Sequence, residues 1–348
     1  MTREPRVLAA LADHWYSRNP LATALRPLSW LYRLLIATRR GCYSFGLRQT
    51  RRLSPPVIVV GNITVGGTGK TPFVIWLATT LAREGYAPGI VARGYRGQAR
   101  HWPQQVRPDA DPAMVGDEAL VLARRCACPV AVGPDRVAAA EALLRYHRCD
   151  VLISDDGLQH HALGRDIEIV MIDGVRRFGN GYCLPAGPLR EPVKRLEAVD
   201  FVVVTGGAAL RHEYPMQLHA SAIRNVRRDS LAYGPGQFPH RRVHAVAGIG
   251  HPARFFHQLK QLDFSLVEHA FPDHHDFSPP DLAFGDELPV LMTEKDAVKC
   301  RRFCHDNCWY LAVDARPDER LEARLLAMLR DLRRDPAGGP APHAAEQR

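Results

Sequence analysis

The residues with the clearest capacity for chemistry stand in one short run. Residues 57–71 read Val-Ile-Val-Val-Gly-Asn-Ile-Thr-Val-Gly-Gly-Thr-Gly-Lys-Thr, and an apolar helical pattern follows over Phe73–Arg83. A β-branched strand, a glycine-rich loop and a helix in that order form the phosphate-binding loop of nucleotide hydrolases and kinases. Gly66, Gly67 and Gly69 carry no Cβ, so backbone N–H groups can lie against phosphate oxygens. Lys70 would supply a point charge to the β- and γ-phosphates, and the Thr71 hydroxyl suits Mg²⁺. The expected nucleotide-binding segment is therefore Thr64, Val65, Gly66, Gly67, Thr68, Gly69, Lys70 and Thr71. Thr64 departs from the usual pattern, which has glycine first. A ligand-free turn would use the same glycines, but the strand–loop–helix context favours a polyphosphate nucleotide with Mg²⁺.

Further acids and bases follow at strand ends. Asp150-Val-Leu-Ile-Ser-Asp155-Asp156-Gly157 is an apolar run closing on two carboxylates, the second metal-site element of such proteins. Gln159, His160 and His161 come next and place polar groups beside the same cleft. Asp117 and Glu118 open a helix, where acids also simply match the helix dipole. Residues 181–192, with two glycines and three prolines, form an ordered loop carrying Arg190 and Glu191, which could address phosphate, metal or substrate.

These residues need elements to hold them. The chain has 348 residues, 46% of them hydrophobic, which suggests about two globular domains and excludes a disordered protein. Strands near 88–92 and 129–132, one within the run 150–157, and strands at 168–172 and 201–205, mostly joined by helical crossovers, predict a parallel sheet. From about residue 214 the pattern changes. Residues 217–223 and 230–233 read as an antiparallel pair bridging to a second, smaller α/β lobe. The expected division is 1–52, an N-terminal amphipathic region; 53–213, the phosphate-loop lobe; 214–334, the second lobe; and 335–348, a disordered tail rich in Ala, Pro and Gly.

Charge and cysteines narrow the setting. The formal net charge is +9, and no acidic residue lies between Asp13 and Glu84. Such a field attracts nucleic acid, anionic lipid or a phosphorylated substrate. Leu21, Leu25, Leu28, Leu31 and Leu35 fall on one helical face among Arg26, Arg33, Arg39 and Arg40, with Trp30 and Tyr32 alongside. This reads as a helix lying in a membrane interface or as one packed on the protein's own core. The arginines break the run short of a spanning length. No cleavable signal sequence is evident, so the expectation is a reducing cytoplasm with free thiols. Cys300, Cys304 and Cys308 lack the paired spacing of a compact zinc site.

Taken together, Thr64–Thr71, Val115–Glu118, Asp155–His160, Leu184–Pro192, Phe271–Phe277 and Thr293–Lys299 resemble the tetraacyldisaccharide 4′-kinase family of lipid A biosynthesis. The resemblance runs from the N-terminal helix to about Arg334. It implies two α/β/α lobes joined by a short β linker, with an N-terminal helix at the cytoplasmic face of the bacterial inner membrane. It implies transfer of the ATP γ-phosphoryl group to the 4′-hydroxyl of a tetraacylated glucosamine disaccharide 1-phosphate, giving lipid IVA. Carried over by motif, Lys70 and Thr71 take the phosphates and Mg²⁺. Asp156, with Asp155 and Glu191, would serve the metal. Asp117 would be the catalytic base, paired with His274. Tyr95, His160 and Arg190 would be secondary site residues. The implied partners are the acylated disaccharide 1-phosphate and the membrane surface, not nucleic acid. Adjacent His275 leaves the choice of histidine open.

Two other classes compete. A P-loop GTPase or ATPase assembly switch would share the loop. Thr293-Glu294-Lys295-Asp296 has part of the Asn-Lys-x-Asp guanine-reading element, but the Asn is missing. Val65 stands where a partitioning ATPase would carry its signature lysine. A nucleic-acid-binding ATPase would use the basic N-terminal region, but its Leu and Trp at helical spacing favour a membrane.

Overall fold

The computed structural model describes residues 14–17 and 19–334. The predicted tail at 335–348 lies outside these residues, as does the extreme N-terminus. Where a single helix was expected over 21–45 there are two, α1 (Pro20–Ala24) and α2 (Arg26–Ser44). Pro27 has no N–H to offer Thr23, so the first helix ends and a second begins with Pro27 in its opening turn.

The first half continues β1 (Val57–Gly61), α3 (Lys70–Arg83), β2 (Pro88–Ala92), β3 (Gln104–Gln105), α4 (Pro112–Val115), α5 (Asp117–Arg125), β4 (Val130–Val132), α6 (Arg136–Tyr146), β5 (Val151–Asp155), β6 (Ile167–Asp173) and β7 (Phe201–Thr205). The remainder is β8 (Tyr214–Asn225), β9 (Ala232–Tyr233), β10 (Arg242–Ala247), α7 (Pro252–Gln261), β11 (Ser265–Ala270), β12 (Val290–Thr293), α8 (Glu294–Cys300), β13 (Cys308–Pro317) and α9 (Glu319–Arg334).

One sheet runs through the described chain in the order β11-β10-β12-β13-β8-β7-β6-β1-β5-β2-β4-β3, with β9 beside β8. Most neighbours are parallel; β13–β8, β8–β9 and β3–β4 are antiparallel. The fold is therefore α/β with a mixed, mostly parallel sheet. The expected ribbon is corrected in its partners. Residues 214–225 pair with β9 over only two positions, Ile223–Tyr233 and Arg224–Ala232. Their main partner is β13, from Trp309–Asn225 to Pro317–Met216. The longer ladder satisfies more backbone groups and also buries Trp309, Leu311 and Ala315.

Every residue of β1 is buried. Ile58 and Val60 face one core with Phe73, Leu77 and Leu81 of α3; Val57 and Val59 face the other with Leu143 of α6. This period of two, buried on both faces, is why the strand reads as a continuous β-branched run. Leu321, Leu325 and Leu329 of α9 join the α3 side, so the last helix returns to the first half's core.

The sheet places β1 between β5 and β6, and both carboxylate-bearing and glycine-rich loops leave the carboxyl ends of these strands. α3 starts at Lys70, three residues before its apolar pattern. Its polar first turn carries N–H groups with no intrahelical partner, which the hydrophobic periodicity does not report. Gly69 caps it with φ 81°, a left-handed conformation disfavoured for side chains with a Cβ. Gly116 serves α5 similarly, with φ 91° and a hypothetical Cβ only 2.7 Å from the Tyr95 carbonyl oxygen.

Candidate active site

Four polar side chains meet where the loops after β1 and β5 approach each other. Asn62, fully buried, directly follows β1 and accepts a hydrogen bond from Lys70 Nζ at 3.0 Å. Lys70 also lies 3.3 Å from Asp156 Oδ1. Arg190 Nη1 donates to both Asp156 oxygens, at 3.1 and 3.2 Å. The loop bearing Arg190 is stitched to the glycine-rich loop: Arg190 N donates to Ile63 O at 2.7 Å and Val65 N to Pro188 O at 2.8 Å. Thr64 pairs with Leu189 there, so the position that departs from the common pattern has a structural partner. On the loop's far side, Thr205 Oγ1 donates to Thr68 O and Arg176 Nη2 to Gly67 O, each at 2.8 Å.

Asp155 and Asp156 are adjacent yet electrostatically opposite. Burial pushes the Asp155 carboxyl up to about 7, helped by neighbouring Glu118, and its Oδ1 has no hydrogen-bond partner. Burial also acts on Asp156, but Lys70 and Arg190 outweigh it and hold that carboxyl well below the usual range. Asp156 has φ 50°, a conformation rare outside glycine. Glu191 accepts from Gln159 Nε2 at 2.6 Å and pairs with Arg195 at 3.3 Å.

The opposite wall comes from the second half. His274 Nδ1 donates to Asp117 Oδ2 at 2.9 Å, joining residues 157 positions apart. Asp117 Oδ1 accepts from the Glu118 backbone N–H at 2.8 Å. His274 also has a left-handed φ of 57°, Arg96 Nη1 donates to its carbonyl at 3.2 Å, and the Tyr95 ring lies 5.4 Å from its imidazole. Burial would raise the Asp117 pKa, but the His274 hydrogen bond and the charges of His274, Lys295 and Lys299 leave it lowered. The Asp117 hydrogen bond raises the His274 pKa against its burial. His275 instead faces Asp281 at 3.2 Å, beside the short 3₁₀ turn Pro279–Leu282.

His160 stands a little apart. Its Nε2 accepts from the Arg136 backbone N–H at 3.3 Å, and burial with Arg136 nearby pushes it down to about 4. Sequence reasoning missed Asn62, Arg136, Lys295 and the pairing of Glu118. Asn62 carried one available signal, an amide directly after a buried strand and before the glycine loop. Arg136 is buried and contacts the Asp156 carbonyl at 3.5 Å; nothing in its helical sequence sets it apart.

A mixed, mostly parallel α/β sheet with a glycine-rich loop, an adjacent acid pair and a facing Asp–His pair defines a nucleotide-dependent phosphotransferase class. The particular family follows from comparison. A model described as tetraacyldisaccharide-1-P 4′-kinase matches residues 21–330. The chain is 54% identical over 316 residues to the tetraacyldisaccharide 4′-kinase of Nitrosococcus oceani, covering 91% of this chain and 93% of the relative. It is 53% identical over 324 residues to that of Alkalilimnicola ehrlichii, covering 91% and 97%. A crystal structure of LpxK from Aquifex aeolicus in complex with ATP superposes with a TM-score of 0.76 at 28% identity, over 89% of this chain and 99% of that one. The chain belongs to the tetraacyldisaccharide-1-P 4′-kinase family. The switch-type GTPase alternative is not favoured.

Proposed function

We propose that this protein transfers the γ-phosphoryl group of ATP to the 4′-hydroxyl of a tetraacylated glucosamine disaccharide 1-phosphate, with Asp117 as the base. The observation that carries the assignment is the 2.9 Å Asp117–His274 hydrogen bond opposite the Lys70–Asp156–Arg190 cluster.

Phosphoryl transfer has a loose transition state, so positioning and charge neutralisation dominate. The backbone of Thr64–Thr71 and the α3 N-terminus would hold the phosphates. Lys70 and Arg190, both on Asp156 here, would turn their charge to phosphate oxygens. Thr71, Asp155 and Asp156 offer the oxygen donors that suit Mg²⁺, and Asp155 Oδ1 is buried without a hydrogen-bond partner; Glu191 is held by Gln159 and Arg195, and among the described residues no three acidic, His or Cys side chains form a ready-made metal cluster. When bound, Mg²⁺ would neutralise charge building on the phosphate oxygens. Asp117 accepts the hydroxyl proton late, as the new bond forms. His274 fixes the carboxylate's orientation and stabilises its ionised form. Tyr95, whose ring lies 5.4 Å from that of His274, would line the acceptor side of the cleft. With the base on 53–213 and its partner on 214–334, closure of two lobes would complete the site and exclude water.

The acceptor would arrive from the cytoplasmic face of the inner membrane, and α2 supports this. Its leucines turn outward: Leu28, Leu31, Leu34 and Leu35 are more than half exposed, as is Trp30. The helix is instead tied down by polar groups, Ser29 Oγ to Cys183 O at 2.8 Å and Tyr32 OH to Arg190 O at 3.1 Å. An amphipathic helix packed on its own core would show the reverse. Arg33, Arg39 and Arg40 are exposed beside the leucines, suited to anionic headgroups. Among the described residues no helix is long and apolar enough to cross a membrane.

The test is ATP-dependent phosphorylation of the tetraacylated disaccharide 1-phosphate in detergent, with Lys70→Ala as control. Phosphate on the lipid with wild type and none with the control is expected. ATP hydrolysis by wild type with no lipid product would contradict the proposal.

A further inference from the structure

The run Thr293-Glu294-Lys295-Asp296 at the start of α8 has no part in the mechanism above, yet each of its side chains is committed. Thr293 Oγ1 donates to Asp296 Oδ2 at 2.6 Å, and Gly248 N donates to the same oxygen at 2.9 Å. Glu294 receives Arg125 of α5 at 2.8 and 3.0 Å. Lys299, one turn on, donates to His275 O at 2.9 Å and so fixes the loop that carries His274. Lys295 pairs with Glu118, the residue after Asp117.

We propose that Lys295 is a positioning residue for the Asp117 base. Its ion pair with Glu118 holds the first turn of α5, whose Glu118 N–H is hydrogen-bonded to Asp117 Oδ1. The tie crosses between the halves one residue from the Asp117–His274 bond, so the base is registered on its histidine at two adjacent points. Arg125–Glu294 already clamps α5 to α8 two turns further on. What Lys295 adds is positive charge beside the carboxylate. The charged groups acting on Asp117 are His274, Lys295 and Lys299 as cations and Glu118 as an anion, while Asp273 acts on His274 and Lys295. Lys295 lowers the pKa of both Asp117 and Glu118, and their charges keep its own amine protonated against burial.

This assignment rests on Asp117 as base, and the test separates the two. The pH dependence of kcat/KM for lipid phosphorylation is measured for wild type, Lys295→Met, Lys295→Arg and Asp117→Asn. Lys295→Met is expected to move the acid limb up by about one pH unit and lower kcat roughly tenfold, with KM for ATP within about twofold. Lys295→Arg should restore most of the wild-type profile. If Lys295→Met does not fold, judged by its thermal transition, Lys295→Gln carries the same expectation while keeping a donor to Glu118. An acid limb that stays at its wild-type position, whatever happens to kcat, overturns the Lys295 assignment when Asp117→Asn is inactive. Wild-type kcat in Asp117→Asn would instead overturn the base reading on which it stands.

Discussion

Asp156 and Asp117 serve the same cleft but are held in different ways. Asp156 directly follows the buried strand β5, and its partners are Lys70, which opens α3, and Arg190, from the loop between β6 and β7 of the same half. That pole is built by one sheet, and its carboxylate is kept ionised by two fixed cations. Asp117 opens a helix, and its partner His274 comes from the other half. The base pole exists only because the halves meet, through α5, α8 and the 271–277 loop. The Lys70–Asp156–Arg190 cluster is thus assembled within one half, whereas the Asp117–His274 pair depends on contact between the halves.

That contrast can be broken at either pole. The largest effect is expected from Lys70→Met, which removes the cation between the loop and Asp156. Lipid phosphorylation should fall by at least about 10³-fold in kcat/KM, and isothermal titration should show weaker nucleotide binding. Asp117→Asn comes next. A loss of about 10²–10⁴-fold in kcat with ATP affinity retained would place the defect in chemistry, not in the phosphate pole. His274→Ala should cost less, roughly 10–100-fold, and should also change the pH profile. His274 lowers the Asp117 pKa through its hydrogen bond and charge, so its removal raises that pKa and shifts the acid limb of kcat to higher pH. A steady-state pH series reads the sign directly. The smallest catalytic effect is expected from Leu34→Glu with Leu35→Glu on the exposed face of α2. Flotation with anionic vesicles should weaken roughly tenfold or more, while activity on detergent-dispersed substrate changes by less than about twofold.

The same contrast explains what could be read from residues alone. The phosphate pole was legible because its parts are local: a β-branched run, glycines, Gly69-Lys70-Thr71, and acids closing β5. Each is a short pattern with its own physical reason. The base pole was not. Asp117-Glu118 looks like any acidic first turn, and a histidine in a Pro-Asp-His-His loop has no periodicity to mark it; only the family resemblance singled these residues out. The fold shows the same division. β1, β5 and β7 read correctly from their buried runs, but the partner of residues 214–225 lies about ninety positions away and local turn signals favoured the nearer, shorter strand. α2 predicted its outward leucines only as one of two alternatives, because periodicity gives a face and not what that face meets.

The central claim is that Asp117 and His274 act as one unit across the halves. A double-mutant cycle on kcat for lipid phosphorylation, using Asp117→Asn, His274→Ala and both together, tests it most directly. The prediction is that the double variant is no slower than Asp117→Asn within about threefold, because the histidine has nothing left to orient. If the two losses multiply, His274 acts on the reaction independently of Asp117, and the paired base described here is wrong.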